Sequence, residues 1–171
     1  ARVFEEAGLP AGLLHVVIGD AETGEALVTD ARVPMIAFTG SPAVGRRIGE
    51  LAGKHLKKVT LELGGANSLI VLQDADLDLA ASNAAWGAYL HQGQICMATN
   101  RIIVHESIAA AFTLRLVRKA QHLPLGDGAT GQVALGPIID AKQRDRVHAM
   151  VQASVAAGAT LLAGGEADGL F

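Results

Sequence analysis

The sequence predicts an α/β fold built on parallel strands. Three observations point there. Short aliphatic runs alternate with stretches whose apolar residues recur at helical spacing. The first three runs stop at or just before glycine, at Gly19, Gly40 and Gly64-Gly65. The order strand, helix, strand, helix, strand is the one that parallel pairing needs, because parallel neighbours are joined by crossovers. The composition supports a packed core: 171 residues, half of them hydrophobic and 18% charged, exclude a disordered tail. Twenty glycines against five prolines indicate many tight turns between regular elements.

Taken in order, Ala1–Gly8 reads as the back end of a helix. The chain opens without a methionine and stops at Phe171 in mid-pattern, so it is expected to be a piece of a longer protein. Leu14–Ile18 reads as a buried strand and Glu22–Val28 as a helix. Val33–Phe38 is a second buried run. Ser41–Ala52 carries Val44, Ile48 and Leu51 at helical spacing. Lys57–Leu63 reads as a third strand. A domain boundary is expected near Gly64–Asn67, giving parts 1–63 and 64–171. Beyond it come a strand at Ser68–Leu72 and a long helix at Asp76–Leu90, with acids in its first turn where the helix dipole favours them. A polar loop follows at His91–Asn100, then a strand at Arg101–His105 and a helix at Ser107–His122. Leu123–Gly136 is a glycine-rich connection. Asp140–Ala156 reads as a helix and Thr160–Leu162 as a short strand.

The formal net charge is −3 with both signs interspersed, which argues against a nucleic-acid partner. No apolar run approaches the roughly 20 residues of a membrane span. The single cysteine rules out an intramolecular disulfide and any cysteine-rich zinc site. Six histidines are scattered without ligand spacing, so no metal is expected. One reduced thiol accords with a cytoplasmic setting. Arg46-Arg47 and Lys54–Lys58 read as solvated helix ends, and Trp86 with Tyr89 as core packing. Gly19 and Gly24 do not form a dinucleotide fingerprint.

Three features can carry chemistry. In Phe38-Thr39-Gly40-Ser41-Pro42 a strand runs into a helix. Ser41 is a favoured cap, and Pro42 suits the first helical position because its missing N–H has no partner to lose. A free helix N-terminus at a strand's carboxyl end is a natural anion site; an ordinary capped helix facing water is the alternative. Glu62 lies in Val59-Thr60-Leu61-Glu62-Leu63-Gly64-Gly65. Either it is a desolvated general base near the end of an apolar strand, or it belongs to the strand's solvated face. Cys96 lies in the polar loop. It is either a nucleophile or a small buried residue. His91 is close to it in sequence but gives no evidence of a Cys–His pair.

Five segments, in order, resemble the NAD(P)-dependent aldehyde dehydrogenase superfamily. They are Glu6-Ala7-Gly8-Leu9-Pro10-Ala11-Gly12, Phe38-Thr39-Gly40-Ser41 with Val44-Gly45, Leu61-Glu62-Leu63-Gly64-Gly65, Gly93-Gln94-Ile95-Cys96, and Gly136-Pro137-Ile138-Ile139 with Gln143. Glu62 and Cys96 stand 34 residues apart, as in that family. The resemblance implies that Cys96 attacks an aldehyde carbon and that Glu62 activates the water that releases the acid. It implies that Gly40, Ser41, Val44 and Gly45 meet the pyrophosphate of NAD or NADP, with Leu63 and Gly64 near the nicotinamide. The Cys96 N–H would be one oxyanion donor, and Ile95 and Met97 would flank the nucleophile. Gln94-Ile95-Cys96-Met97 looks most like the branch acting on benzaldehyde, salicylaldehyde or vanillin.

The implied fold is truncated: the back of a Rossmann-like cofactor domain and the front of the catalytic domain. The family's oxyanion asparagine and a cofactor-binding lysine would lie upstream of Ala1, and a ribose-binding glutamate beyond Phe171. Pro42-Ala43 replaces a more usual polar pair, and Gly128 stands where Gly-Asp-Pro is common. The full-length enzyme is expected to be a homo-oligomer, a dimer or tetramer. Two other readings stay open: an acylating reductase using CoA or phosphate, against which Glu62 speaks, and a catalytically silent module.

Overall fold

The computed structural model describes residues 1–171, which divide into two compact units, Ala1–Gly64 and Gly65–Phe171. The first contains α1 (Arg2–Glu6), α2 (Ala21–Thr29), β1 (Met35–Gly40), α3 (Pro42–Lys54) and β2 (Lys58–Leu63). β1 and β2 pair in parallel, in register from Met35 opposite Lys58 to Gly40 opposite Leu63. The helix α3 is the crossover that this pairing requires. It lies on the face that carries Leu61 and Leu63. Gly45 permits the approach, since a Cβ there would sit 2.5 Å from Leu63 Cδ2. Strand alternation therefore turns Thr60 and Glu62 to the opposite face.

Polar contacts fix the ends of α2. Asp20 caps it, accepting from the Glu22 N–H at 3.1 Å. At the other end the Asp30 carboxylate accepts from the Arg32 backbone N–H at 2.8 Å and from its guanidinium at 3.0 and 2.7 Å. Those bonds to Arg32 hold the Asp30 carboxyl far below the usual carboxylate range. Arg47 of α3 reaches Glu25 of α2 at 3.1 Å on the surface.

The second unit contains β3 (Asn67–Val71), α4 (Leu77–Tyr89), β4 (Thr99–Val104), α5 (Glu106–Gln121) and α6 (Ala141–Ala156). β3 and β4 are parallel, with Leu69, Ile70 and Val71 opposite Ile102, Ile103 and Val104. Asp76 caps α4 by accepting from the N–H groups of Asp78 and Leu79 at 2.9 and 3.1 Å. The core is Val71, Ala81, Ala84 and Phe112, with Leu69, Leu77, Ile102 and Ile108 packed against it. The fully buried Ala81 and Ala84 let α5 approach α4 closely enough for Phe112 to be only 2% exposed.

The structure corrects four expectations. Leu14–Ile18 forms no strand, and Ile18 is 95% exposed. Thr160–Leu162 is likewise irregular. A strand exists only against a hydrogen-bonding neighbour, and neither segment has one among these residues. The run at Val33–Phe38 becomes a strand two residues later, and it is not buried throughout. Met35, Ala37 and Thr39 are exposed because helices cover only the other face. Trp86 is 60% exposed, while Ala81, Ala84, Ala85 and Ala88 make the inward stripe of α4. No helix is long and apolar enough to cross a membrane.

Because Phe112 is the largest fully buried side chain, Phe112→Ala should destabilise the second unit by about 3–5 kcal/mol. Urea unfolding followed by circular dichroism measures this. A loss below about 1 kcal/mol would place the core elsewhere.

Candidate active site

In the first unit the end of β1 and the start of α3 make one feature. Ser41 is extended, with φ −72° and ψ 148°, and its Oγ accepts from the Val44 N–H at 3.4 Å. Pro42 occupies the first helical turn, and the Gly45 N–H donates to Ser41 O at 2.9 Å. Helices α1, α2, α4 and α5 carry Glu5, Glu22, Asp78 and Glu106 in their first turns, whereas α3, like α6, carries no acid there. Its positive end is thus left unneutralised, and Ser41, Pro42, Ala43 and Val44 are exposed around it. A helix start of this kind can accept an anion.

The strand register brings the other expected residues to the same place. Gly40 pairs with Leu63, and Gly64 follows at the end of β2. A Cβ on Gly64 would lie 3.8 Å from Pro42 Cδ, so the two strand ends and the helix start adjoin. Gly40, Ser41, Val44, Gly45, Leu63 and Gly64 therefore gather at one end of the pair. Their parts differ. Gly45 is buried and the Leu63 side chain packs on it, so these two support the feature from beneath.

Glu62 stands opposite Thr39, on the face turned away from α3, and is exposed. The apolar surroundings that would desolvate its carboxylate are absent from this unit; the solvated-face reading describes it here.

Cys96 belongs to the second unit. After α4 the chain passes through Leu90–Gly93, where His91, Gln92 and Gly93 all have positive φ, at 51°, 56° and 69°. Consecutive non-glycine residues in this region store backbone strain, which persists only where surrounding contacts enforce it. The Gln92 amide lies 3.0 Å from both Gly136 N and His91 O, and with its oxygen turned to Gly136 and its nitrogen to His91 it accepts from the first and donates to the second. Gly136 of the fifth matching segment is thereby tied to the loop that leads to the thiol.

The thiol sits on an exposed turn closed by the Ala98 N–H, which donates to Ile95 O at 3.0 Å. The neighbouring Met97 is 55% exposed and Ile95 half-buried. Asn67, the first residue of β3, donates its side-chain amide to Cys96 O at 2.7 Å and to Ala98 O at 3.0 Å. Its own N–H donates to Asn100 Oδ1 at 3.2 Å. Sequence reasoning missed Asn67, Asn100 and Gln92 as members of this site. The available signal was an asparagine opening a strand directly after Gly64-Gly65-Ala66, where a polar side chain beside the strand start needs partners. No three His, Cys, Asp or Glu side chains gather to hold a metal.

The first unit thus offers a helix start without a first-turn acid and an accessible carboxylate, and the second an accessible thiol on a held turn. Comparison with known proteins places the chain in one family. The aldehyde dehydrogenase family profile matches residues 1–171. Vanillin dehydrogenase of Amycolatopsis sp. is 60% identical over 171 residues, all of this chain and 35% of that protein. Benzaldehyde dehydrogenase [NAD(+)] of Pseudomonas putida is 53% identical over 165 residues, 96% of this chain and 34% of that protein. The crystal structure of an NAD-dependent aldehyde dehydrogenase from Sinorhizobium meliloti superposes with a TM-score of 0.94 at 41% identity, covering 97% of this chain and 33% of that one. The chain thus spans about a third of the length of the relatives it matches. With the family profile matching from end to end, these 171 residues belong to the aldehyde dehydrogenase family.

Proposed function

We propose that the protein carrying this chain oxidises an aromatic aldehyde to its carboxylic acid with NAD(P)+, using Cys96 as nucleophile and Glu62 as base. The observation that carries the reading is Cys96 itself. It is the only cysteine in the chain, it is displayed on an exposed turn, and the chain that carries it is 60% identical to a vanillin dehydrogenase.

The residues at the start of α3 suit a dinucleotide. An acid-free first turn, the Ser41 hydroxyl and the small Gly40 would receive a pyrophosphate, and the backbone at Leu63–Gly64 adjoins the same strand ends. When bound, the nicotinamide supplies the two-electron acceptor for the hydrogen on the aldehyde carbon. The chain's own residues do the rest. The Cys96 thiolate forms a C–S bond to the carbonyl carbon, and the carbonyl electron pair moves to oxygen. The Cys96 N–H donates to that oxygen, which needs fixed dipoles as its charge develops. Oxidation at that carbon leaves a thioester on Sγ. Glu62 takes a proton from water, the water oxygen adds to the thioester carbon, and the C–S bond breaks to release the acid and the thiolate. The apolar Ile95 and Met97 beside the nucleophile suit an aromatic ring. Residues 1–63 would serve as the back of the cofactor domain and residues 64–171 as the front of the catalytic domain, within a dimer or tetramer.

A chimera tests this directly: the chain replaces the matching segment of the Amycolatopsis vanillin dehydrogenase. Cys96→Ala should lower NADH formation by about 10³-fold or more. Glu62→Gln should release a burst of about one NADH per site and then stall, because thioester hydrolysis lacks its base. A burst that is itself slow and recovers at higher pH would assign Glu62 to thiol deprotonation instead. Wild-type turnover in Glu62→Gln would leave it an ordinary strand residue. In the same chimera Ser41→Glu should weaken NAD+ binding by about 5- to 30-fold through charge and crowding at the helix start. Unchanged affinity in a titration would remove the pyrophosphate from α3.

A further inference from the structure

The Cys96 turn is held by a residue from outside its own loop. Asn67 lies 29 positions earlier, yet its amide nitrogen donates to two carbonyls of the turn, Cys96 O at 2.7 Å and Ala98 O at 3.0 Å. Asn67 is itself anchored. Its N–H is bound by Asn100 Oδ1 at 3.2 Å, and it pairs with Thr99 in the strand ladder, next to a register shift between Asn67 and Ser68. The close approach of α4 to this point is set by Gly87, where a Cβ would lie 2.5 Å from Thr99 Oγ1. The peptide bonds are all trans. In a trans peptide the N–H points opposite to the C=O of the same unit. With Cys96 O turned toward Asn67, the Met97 N–H points away from it. Neither the Cys96 N–H nor the Met97 N–H has a hydrogen-bond partner in the chain.

We propose that Asn67 is a positioning residue for the nucleophile. By engaging Cys96 O and Ala98 O together, it locks the Cys96–Met97 peptide so that the Met97 N–H faces away from Asn67, free to meet negative charge on or beside Sγ. This rests on reading Cys96 as the nucleophile, but the contacts themselves do not. Asn67 touches no reacting atom. It acts through the orientation of a peptide dipole, and a fixed dipole stabilises a thiolate or an oxyanion better than a rotating one. The amide is required as a donor: both of its partners are carbonyl oxygens, so a carboxylate of the same shape would repel them.

The test uses the same chimera, without aldehyde or cofactor, so its outcome is separate from that of the oxidation experiments. Asn67→Ala, the isosteric Asn67→Asp and the one-donor Asn67→Ser are compared with wild type. Hydrogen exchange is read by mass spectrometry on peptides that contain the Ala98 amide and on peptides around Phe112. Alkylation of Cys96 by iodoacetamide is followed at neutral pH on the peptide that carries it. Asn67→Ala and Asn67→Asp should each speed Ala98 exchange by about tenfold or more, the scale of one lost hydrogen bond. Both should slow Cys96 alkylation by about threefold or more, because the thiolate loses a fixed dipole. Asn67→Ser should fall between them and wild type, and the amides around Phe112 should keep their protection. A merely structural role would loosen the turn and leave alkylation unchanged or faster. That result overturns the proposal, as does wild-type behaviour in Asn67→Asp, or exchange rising equally through β3, β4 and α5.

Discussion

Two parallel strand pairings set everything else in place. Gly40 opposite Leu63 fixes the first pair, and Asn67 opposite Thr99 begins the second. A parallel pair cannot close by a tight turn, so each needs a helix between its strands. In the first unit that helix starts where β1 ends, which puts the α3 N-terminus beside the last residues of both strands. In the second unit α4 leaves beyond β3 and the chain returns to the start of β4 through the Cys96 turn, which puts the turn beside Asn67. Register also decides faces. A slip of one residue in β2 would turn Glu62 toward α3 and Leu61 and Leu63 to solvent. It would leave a carboxylate against apolar packing without a partner, at a cost of several kcal/mol.

The apolar surface of the chain has the same origin. Parallel sheets are stable when both faces are covered. In the first unit α3 covers one face, and Met35 on the other is 52% exposed. Leu13–Ile18 is uncovered too, with Val16 66% and Val17 60% exposed. The relatives are about three times as long as this chain.

What the sequence made legible was local. Ser41 as a cap, Pro42 in the first turn and Asp76 at the head of α4 are chemical preferences of single positions, and each appears where expected. The helical spacing of Val44, Ile48 and Leu51 produced α3. The two residues proposed for chemistry were found by motif and spacing. Pairing was not legible, because a run such as Leu14–Ile18 has strand character whether or not a neighbour exists. The surroundings of Glu62 were open for the same reason: alternation assigns a face, and only the packed layers decide whether that face is wet. Trp86 was misplaced because a tryptophan invites a core, whereas the stripe of alanines around Ala84 fixes which side of α4 points inward. The Asn67 contacts join residues 29 and 31 apart and leave no periodic trace. Nor do His91 and Gln92 advertise positive φ, a conformation more often taken by glycine or asparagine.

The proposed function stands or falls on covalent chemistry at Cys96. Mass spectrometry on the Glu62→Gln chimera, quenched after mixing with vanillin and NAD+, tests this most directly. The account predicts that the peptide containing Cys96 gains the mass of one vanilloyl group, and that hydroxylamine removes it as expected of a thioester. An unmodified Cys96 alongside continued NADH formation, or an acyl group on any other residue, would contradict it.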